Sequence, residues 1–341
     1  MIQKTDDFPF ALIPAPLLAW YRENKRVLPW RENPTPYRVW VSEIMLQQTR
    51  VEAVKEHYER FMRELPTVQA LAACTEEKLL KLWEGLGYYS RARNLHSAAK
   101  EIAALGEFPS DHEKIRKLKG VGAYTAGAIA SIAFEQPTPA VDGNVIRVLS
   151  RLLADERGQD VLKDVFEKEL APAYPPARRG DFTQSLMELG ATICLPSSPR
   201  CMLCPLFSLC GTRGDALPVR KRKAERKKTE MTVFVFSGEN GAGLFKRTDG
   251  VLKGLWQFYN VTRFLGADEA RGHLLSLGLK EFSLSPAPVS HKHVFTHLEW
   301  DMRAYAVQTE EVLPFLTYFP KSEIVEKISV PSAFQWCIEL I

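Results

Sequence analysis

The chain has 341 residues, a formal net charge of +4 and 45% hydrophobic residues. This length suits two domains, each large enough to bury a core, and the composition is that of an ordinary globular protein. The N-terminal segment lacks a signal-peptide pattern, and no run approaches about 18 apolar residues, the length that a membrane span requires. We therefore expect a cytoplasmic protein that does not contact a membrane.

From residue 14 to about residue 210, apolar side chains recur at three- and four-residue spacings, with Pro or Gly at the breaks. This periodicity predicts a bundle of short helices. The segments that we interpret as one helix each are WVSEIMLQQTRVEAVKEHYERFM, TEEKLLKLWEGL, SRARNLHSAAKEIAAL, AYTAGAIASIAF, NVIRVLSRLLA and VLKDVFEKELAPAY.

The C-terminal third has a different pattern. The β-branched, aromatic and alternating residues of MTVFVFSG, GLFKRT, LWQFYNV and HLEWDMRAYAV predict strands, while residues 268–277 and 332–340 are expected to be helical. We expect a mostly α domain over residues 1–215, a linker over 216–230 and a smaller α+β domain over 231–341.

The predicted linker contains the main concentration of charge. Residues 219–230 carry seven Lys or Arg against two Glu, a local charge of +5 that leaves −1 for the rest of the chain. Such a run indicates either a solvated linker or a local contact with a polyanion.

Glu43 is a candidate acid. None of its helical neighbours three or four residues away is basic: Val39, Trp40, Leu46 and Gln47. It therefore has no local partner for the ion pair that a helical Glu usually forms. Apolar surroundings disfavour the charged carboxylate and raise its pKa, as a general acid at neutral pH requires.

Asp142, in PAVDGNVIRV, directly precedes an apolar helix and is expected to cap it. Capping lowers the pKa of a carboxyl group and keeps the group anionic. A proton donor at Glu43 and a fixed anion at Asp142 suit hydrolysis of a glycosidic bond, because one protonates the leaving group and the other stabilises a cationic sugar.

Gly120, Val121 and Gly122 join two helical segments in LKGVGAYTAGAI. The glycines allow a tight turn that brings backbone N–H groups to a helix start, where an anion binds. Because helices flank both sides, we interpret this element as a phosphate-binding helix-hairpin-helix and not as a dinucleotide loop.

Four of the six cysteines lie in the segment CLPSSPRCMLCPLFSLC: Cys194, Cys201, Cys204 and Cys210. In a reducing compartment such a cluster favours metal ligation over disulfides. Four thiolates suit either Zn²⁺ or an iron–sulfur cluster. The single C-x2-C pair and the absence of a nearby His favour a [4Fe–4S] cluster.

The motifs occur in a fixed order over about residues 14–210: LPWRENPTPYRVWVSEIMLQQTRV, WEGLGYYSRARNLH, LKGVGAYTAGAI, PAVDGNVIRV and the cysteine cluster. In these motifs the chain resembles the MutY family of adenine DNA glycosylases, of the helix-hairpin-helix superfamily. The resemblance implies a helical glycosylase domain with a [4Fe–4S] cluster loop. It also implies double-stranded DNA as partner, base flipping, and removal of adenine mispaired with 8-oxoguanine or guanine.

The resemblance further implies roles for single residues. Glu43 would protonate adenine at N7, Asp142 would stabilise an oxocarbenium-like sugar, and Asn144 would help to position that region. The residues that resemble the family's adenine pocket are Arg31, Leu46, Val51 and Gln184. Those that resemble its wedge and opposite-base contacts are Gln48, Thr49, Leu86 and Tyr88. Without the family, plain helical core is the expected role of Leu46, Val51 and Leu86.

Tyr124 occupies the position at which related bifunctional glycosylases carry a nucleophilic lysine. A phenol forms no Schiff base, so we expect a monofunctional hydrolase. Lys119 stands where the superfamily's hairpin often has Pro, and a lysine near the site raises the alternative of weak lyase activity.

The α+β domain resembles the family's Nudix-like recognition domain, in which Thr296 and His297 of HVFTHLEW would contact 8-oxoguanine. DEARGHLLSLGLKEF lacks the carboxylates of a Nudix hydrolase box, so we expect recognition without hydrolysis. We expect a monomer, with the basic linker on the DNA backbone. Two alternatives stay open: a thymine or pyrimidine DNA glycosylase of the same superfamily, and a non-catalytic iron–sulfur DNA-binding module.

Overall fold

The structure, a computed structural model, describes residues 8–219 and 225–341. These residues form two compact units. The helical unit comprises the chain up to Cys74 and from Arg93 to the end of the first described range, and the mixed unit comprises Thr75–Ala92 and the second described range. Within these ranges, every helix falls short of the length and apolarity that a membrane crossing demands.

Short helices account for most of the first described range, which confirms the predicted helical bundle. Their bounds are α1 (Pro14–Asn24), α2 (Pro29–Glu32), α3 (Pro36–Leu46), α4 (Val51–Glu64), α5 (Val68–Ala73), α6 (Glu76–Leu82), α7 (Ser90–Leu105), α8 (His112–Lys117), α9 (Ala123–Phe134), α10 (Gly143–Leu153), α11 (Gln159–Leu170) and α12 (Arg179–Thr192). Single 3₁₀ turns lie at Phe10–Leu12, Ala171–Ala173, Cys201–Leu203 and Phe207–Leu209.

Local sequence signals set many of these helix starts. The side chains of Thr35, Thr67, Thr75 and Asp111 each accept a backbone N–H bond at the start of α3, α5, α6 and α8. Pro stands in the first turn of α1, α2 and α3, where no N–H donor is needed.

One predicted helix is wrong, because WVSEIMLQQTRVEAVKEHYERFM forms α3 and α4 with a turn at residues 47–50. Gln48 adopts a left-handed φ of 57°. The N–H group of Thr49 donates to the carbonyl oxygen of Leu46 at 3.2 Å and closes the turn. The segment contains no Gly or Pro, so the helical periodicity does not mark this break.

Helix α10 is the central helix of one apolar core. Every residue from Val145 to Leu153 is buried, including two arginines. The core packs its apolar side chains against those of α11 and α12, among them Phe166 and Phe182. Because α10 is fixed on all sides, the residue that precedes it, Asp142, is also fixed in position.

The close passage of residues 139–140 across α9 depends on Gly127. A Cβ atom at this position would lie 2.8 Å from the carbonyl carbon of Pro139 and closer still to its oxygen. We expect Gly127→Ala to lower the free energy of unfolding by about 2 kcal/mol or more, since backbone must move to admit the methyl group. Urea titration measures this change. Gly272→Ala is the control, because a Cβ at Gly272 meets nothing within 4 Å and Ala is favourable inside a helix.

The mixed unit is built on one sheet, which confirms the predicted α+β domain. Its elements are β1 (Lys227–Gly238), β2 (Gly241–Lys246), β3 (Trp256–Gln257), β4 (Tyr259–Val261), α13 (Ala267–Ser276), β5 (Ser283–Leu284), β6 (Val289–Val294), β7 (Leu298–Gln308), β8 (Thr317–Phe319), α14 (Lys321–Glu326) and α15 (Ser332–Gln335), with a final 3₁₀ turn at Trp336–Leu340. β1 and β7 pair in parallel, from Lys227 with Leu298 to Ser237 with Gln308. The other pairings are antiparallel.

The alternation of β1 gives the sheet two apolar faces. Val233 and Val235 enter one core, which contains residues of α14 and α15. Phe234 and Phe236 enter the other, which contains residues of α13. Successive strand residues point to opposite faces, so the segment VFVF supplies both cores.

The unit boundaries differ in two respects from the sequence-based division. Thr75–Ala92, which the sequence assigns to the helical domain, packs with the mixed unit. β1 starts at Lys227, within the predicted linker 216–230. Part of that linker, residues 220–224, lies outside the described residues.

Candidate active site

A cavity of about 450 Å³ lies in the helical unit between α3, α9, α12 and the start of α10. Residues that are far apart in the sequence meet here. The predicted site residues that line it are Arg31, Glu43, Leu46, Gln48, Thr49, Val51, Tyr124, Asp142, Asn144 and Gln184. The structure therefore brings the two carboxyl groups and all four predicted pocket residues to one place.

Glu43 lies on the cavity side of α3 and is 6% exposed. The hydroxyl group of Tyr124 donates to its Oε2 atom at 2.7 Å. Burial raises the pKa of Glu43 to about 7, and the nearby Asp142 carboxyl adds to the rise, whereas the bond from Tyr124 and the charge of Arg31 oppose it. The expected raised pKa is therefore confirmed, and Glu43 exchanges a proton near neutral pH.

Asp142 caps α10, as expected from the sequence. Its Oδ1 atom accepts the backbone N–H groups of Asn144 and Val145 at 2.9 and 2.8 Å, and its Oδ2 atom accepts the side-chain amide of Asn144 at 2.9 Å. These bonds stabilise the anion. The expected lowering of its pKa is nevertheless wrong, because burial raises the pKa of Asp142 by more than the hydrogen bonds and the charge of Arg147 lower it.

The two carboxyl groups still differ in the number of hydrogen bonds that stabilise their anions. Among the described residues, three N–H groups donate to Asp142, whereas Glu43 accepts a bond from the hydroxyl group of Tyr124. Because each bond to the anion favours ionisation, hydrogen bonds oppose the effect of burial more strongly at Asp142 than at Glu43.

Arg147 connects this site to the cysteine segment. Its Nη2 atom donates to Oδ1 of Asn144 at 2.9 Å and to the carbonyl oxygen of Gly190 at 2.7 Å, and its Nε atom donates to the carbonyl oxygen of Cys194 at 2.8 Å. Asn144 in turn bonds Asp142. The orientation of Asp142 is thus linked, through two side chains, to the first cysteine.

Glu188 is a cavity residue that the sequence analysis missed. It is fully buried, and its two oxygens accept bonds from Arg26 at 2.7 and 2.9 Å and from Arg31 at 2.8 Å. Burial alone would raise the pKa of Glu188, but the bonds from both arginines lower it to about 2. A permanent anion therefore holds Arg31 at the cavity wall. No sequence signal shows this pairing, because the arginines precede Glu188 by more than 150 residues.

The predicted hairpin joins α8 and α9. Gly120 has a φ of 79°, and a Cβ atom there would lie 2.7 Å from the Cβ atom of Asn94. The side chain of Val121 is buried, and its N–H group donates to the carbonyl oxygen of Leu118. Gly122 is the N-cap of α9 and has no side chain that could accept a bond from the first N–H groups of the helix.

The four clustered cysteines line one small cavity, together with Arg151, Leu206 and other residues. All four are free thiols. The guanidinium group of Arg151 lies 3.4 Å from Sγ of Cys194 and donates to the carbonyl oxygen of Leu195 at 2.7 Å. Among residues 8–219 and 225–341, no group of three or more His, Cys, Asp or Glu side chains is placed to hold a metal ion.

The remaining predicted site residues belong to the mixed unit. Thr296 and His297 are exposed in the turn between β6 and β7. The hydroxyl group of Tyr88 is hydrogen-bonded to that of Thr296. Leu86 is only 5% exposed, which agrees with its alternative interpretation as a core residue.

Comparison with known proteins relates this geometry to a family. Residues 41–172 match the model of the HhH-GPD superfamily base excision DNA repair proteins. The adenine DNA glycosylase of Rattus norvegicus is 37% identical over 372 residues, covering 89% of this chain and 72% of that protein. The adenine DNA glycosylase of Homo sapiens is 35% identical over 376 residues, covering 89% of this chain and 68% of that protein.

Solved structures match about three fifths of the chain. A thermostable thymine-DNA glycosylase is similar with a TM-score of 0.55 and 25% identity, covering 60% of this chain and 96% of that one. A trapped endonuclease III–DNA covalent intermediate is similar with a TM-score of 0.51 and 25% identity, covering 62% of this chain and 97% of that one. From the long matches to the rat and human proteins, we conclude that the chain belongs to the adenine DNA glycosylase family of the HhH-GPD superfamily and is a base excision repair DNA glycosylase.

Proposed function

We propose that this glycosylase hydrolyses the N-glycosidic bond of adenine mispaired with 8-oxoguanine or guanine, after the adenine has flipped out of duplex DNA into the cavity. The observation that carries the proposal is the buried Glu43, with a pKa of about 7, in one cavity with Asp142. An enzyme can reach the glycosidic bond of a base only after the base has left the stack, and the cavity is large enough to admit a purine.

In the first step, protonated Glu43 donates its proton to N7 of adenine. The C1′–N9 bond then breaks, and its electron pair passes to the base, which leaves as neutral adenine. Protonation makes the base a better leaving group, and the apolar burial of Glu43 keeps enough of its acid form at neutral pH.

In the second step, the sugar carries positive charge at C1′ and O4′, and the Asp142 carboxylate stabilises it. Water then adds to C1′, and its proton passes to the Glu43 carboxylate, which restores the acid. The three N–H bonds that hold Asp142 fix its oxygens before the charge develops. Such preorganised electrostatic stabilisation is a large part of enzymatic rate enhancement.

The same geometry supports hydrolysis without strand cleavage. A lyase reaction needs an amine that forms a Schiff base, and the hydroxyl group of Tyr124 stands at that position. Burial raises the pKa of Tyr124 well above its usual value, so it stays a neutral donor to Glu43. Lys119 is exposed and does not line the cavity.

The pH dependence of adenine release tests the role of Glu43. The protonated form is the active one, so the single-turnover rate is expected to fall as the pH rises through about 7, and to approach a tenfold loss for each further pH unit. Release of adenine opposite 8-oxoguanine, measured from pH 5.5 to 9, gives the profile. A rate that rises over this range would contradict a proton donor at Glu43.

Recognition of 8-oxoguanine is proposed for the mixed unit, which we infer to be Nudix-like. Thr296 and His297 support this role because both are exposed and carry hydrogen-bonding groups, and Thr296 is bonded to Tyr88. The end of the basic run supports a DNA backbone contact, since Arg226, Lys227 and Lys228 are exposed. Binding through phosphate contacts is expected to weaken as salt rises.

We further infer that Cys194, Cys201, Cys204 and Cys210 hold a [4Fe–4S] cluster. Four free thiols around one cavity are a suitable donor set, and Arg151 is placed to balance thiolate charge. The cluster would fix the loop at the end of the helical unit, and no catalytic step passes through it.

Chemical analysis of the purified protein tests this inference. We expect about four iron and four acid-labile sulfide atoms per chain and a brown colour. Cys204→Ser is expected to lower the iron content and the melting temperature together, since the loop between Cys194 and Cys210 contains only 3₁₀ turns. One zinc and no iron per chain would contradict the cluster.

A further inference from the structure

The guanidinium group of Arg91 bonds the turn between α6 and α7. Its Nη2 atom donates to the carbonyl oxygens of Leu86 and Gly87 at 2.9 and 3.2 Å. The same group lies over the rings of Trp83 and Tyr88, 5.5 and 5.6 Å from their centroids. Arg91 therefore fixes both the backbone of the turn and the ring of Tyr88.

This turn needs external support because its backbone is strained. Gly85, Gly87 and Tyr88 have φ values of 96°, 67° and 47°. A left-handed conformation is accessible to Gly but unfavourable for Tyr, so it persists only where neighbouring contacts impose it. The indole N–H group of Trp83 adds one such contact, with the carbonyl oxygen of Gly87 at 3.1 Å.

The strained residue is also the one that meets the turn between β6 and β7. The side chain of Tyr88 is 44% exposed, and its hydroxyl group is hydrogen-bonded to Thr296. A rotation of the backbone at Tyr88 would move its hydroxyl group by several ångströms, since this group lies at the far end of the ring. The contact with Thr296 therefore depends on the conformation that Arg91 imposes.

We propose that Arg91 is a positioning residue that sets the preference for 8-oxoguanine over guanine opposite adenine, by holding Tyr88 against Thr296. This inference rests on the proposed function. Lysine is expected to be a poor replacement, because a planar guanidinium group can pack on aromatic rings while its nitrogen donates in a fixed direction, whereas an ammonium group is a point charge on a flexible chain. Burial lowers the pKa of Arg91 to about 10, so the group stays charged at neutral pH.

Single-turnover release of adenine opposite 8-oxoguanine and opposite guanine tests the proposal. Arg91→Lys is expected to slow release opposite 8-oxoguanine about tenfold and release opposite guanine less than about threefold, since it loses charge-assisted bonds in one recognition element. In a Tyr88→Ala background, Arg91→Lys should leave the ratio of the two rates unchanged, because residues that act as a unit are not additive. Arg271→Lys is the matched control, as Arg271 stacks on Phe282 in the same unit.

An equal loss of rate on both duplexes, or the same loss with and without Tyr88, would overturn the proposal. A ¹⁹F signal from 3-fluorotyrosine placed at position 88 reports the turn without turnover, and Arg91→Lys is expected to shift or broaden it. An unchanged signal would also overturn the proposal. If the wild type released no adenine from either duplex, the proposed function would fail, and the fluorine signal alone would then decide whether Arg91 positions Tyr88.

A second variant covers the case in which Arg91→Lys does not fold. Trp83→Phe removes only the indole bond to Gly87 and keeps an aromatic ring beneath Arg91. It is expected to lower the ratio of the two rates about twofold to fourfold and to move the fluorine signal in the same direction as Arg91→Lys. No change in either quantity would contradict the role of the turn.

Discussion

Replacement of Glu43 by Gln is expected to slow single-turnover release of adenine by about 10²- to 10⁴-fold, the usual contribution of a general acid. Gln has nearly the shape of Glu and still accepts the bond from Tyr124, so the cavity is expected to keep its form. What it lacks is a proton to donate to the base. The rate is measured with adenine opposite 8-oxoguanine and enzyme in excess.

The same variant is expected to bind duplex DNA with unchanged affinity, which separates chemistry from recognition. The matched control is Glu52→Gln, since the Glu52 side chain is 77% exposed on α4 and forms a surface ion pair with Lys55. An active Glu43→Gln enzyme would require another proton donor. A variant that no longer binds DNA would instead show that Glu43 has a structural role.

Asp142→Asn separates the two roles of Asp142. Asn is as good an N-cap as Asp, so the bonds to the start of α10 should persist and the free energy of unfolding should change by no more than about 1 kcal/mol. The negative charge is lost, however, and adenine release is expected to slow by about 10²- to 10³-fold, as when one preorganised stabiliser of a transition state is removed.

Thermal melting and single-turnover rates measure these two effects on the same sample. Asp111→Asn is the matched control, because Asp111 caps α8 by accepting the backbone N–H of Lys114 and does not line the cavity. If Asp142→Asn lost much stability and Asp111→Asn lost less, the charge of Asp142 would have a structural role. A normal rate would remove Asp142 from the mechanism.

Burial of Glu43 could be predicted from the sequence, because its helical neighbours are mostly apolar and none is basic. Such a carboxyl group has to find its partner on another part of the chain. That partner, Tyr124, is 81 residues away and could not be placed by helical spacing. For Asp142 the helix start was visible, but the sign of the pKa shift was not. Capping depends on local sequence, whereas desolvation depends on which distant helices cover the carboxyl group.

The mixed unit shows the same limit. The segment VFVF predicts a strand, and its alternation supplies both faces of the sheet. The polar segment VSHKHV gave no strand signal, yet it forms β6 because β7 offers an unpaired edge. Likewise, the association of Thr75–Ala92 with this unit rests on bonds such as that from Val330 N–H to Glu84 at 2.8 Å, which joins residues 246 positions apart.

The matches to known proteins favour an adenine DNA glycosylase over the two alternatives that the sequence left open. The match to adenine DNA glycosylases of rat and human extends over most of the chain, whereas the thymine-DNA glycosylase structure matches 60% of it. A buried Glu43 with a raised pKa and a hydrogen-bonded Asp142 carboxyl group line one cavity, which favours an enzyme over a non-catalytic module.

Base release from four duplexes tests the central claim most directly: adenine opposite 8-oxoguanine, adenine opposite guanine, thymine opposite guanine, and 8-oxoguanine opposite cytosine. We predict rapid single-turnover release of adenine opposite 8-oxoguanine, slower release opposite guanine, and no release of thymine or 8-oxoguanine. Release of thymine instead of adenine would contradict the proposed substrate. Release from none of the four duplexes by a protein that binds them would contradict the proposed activity.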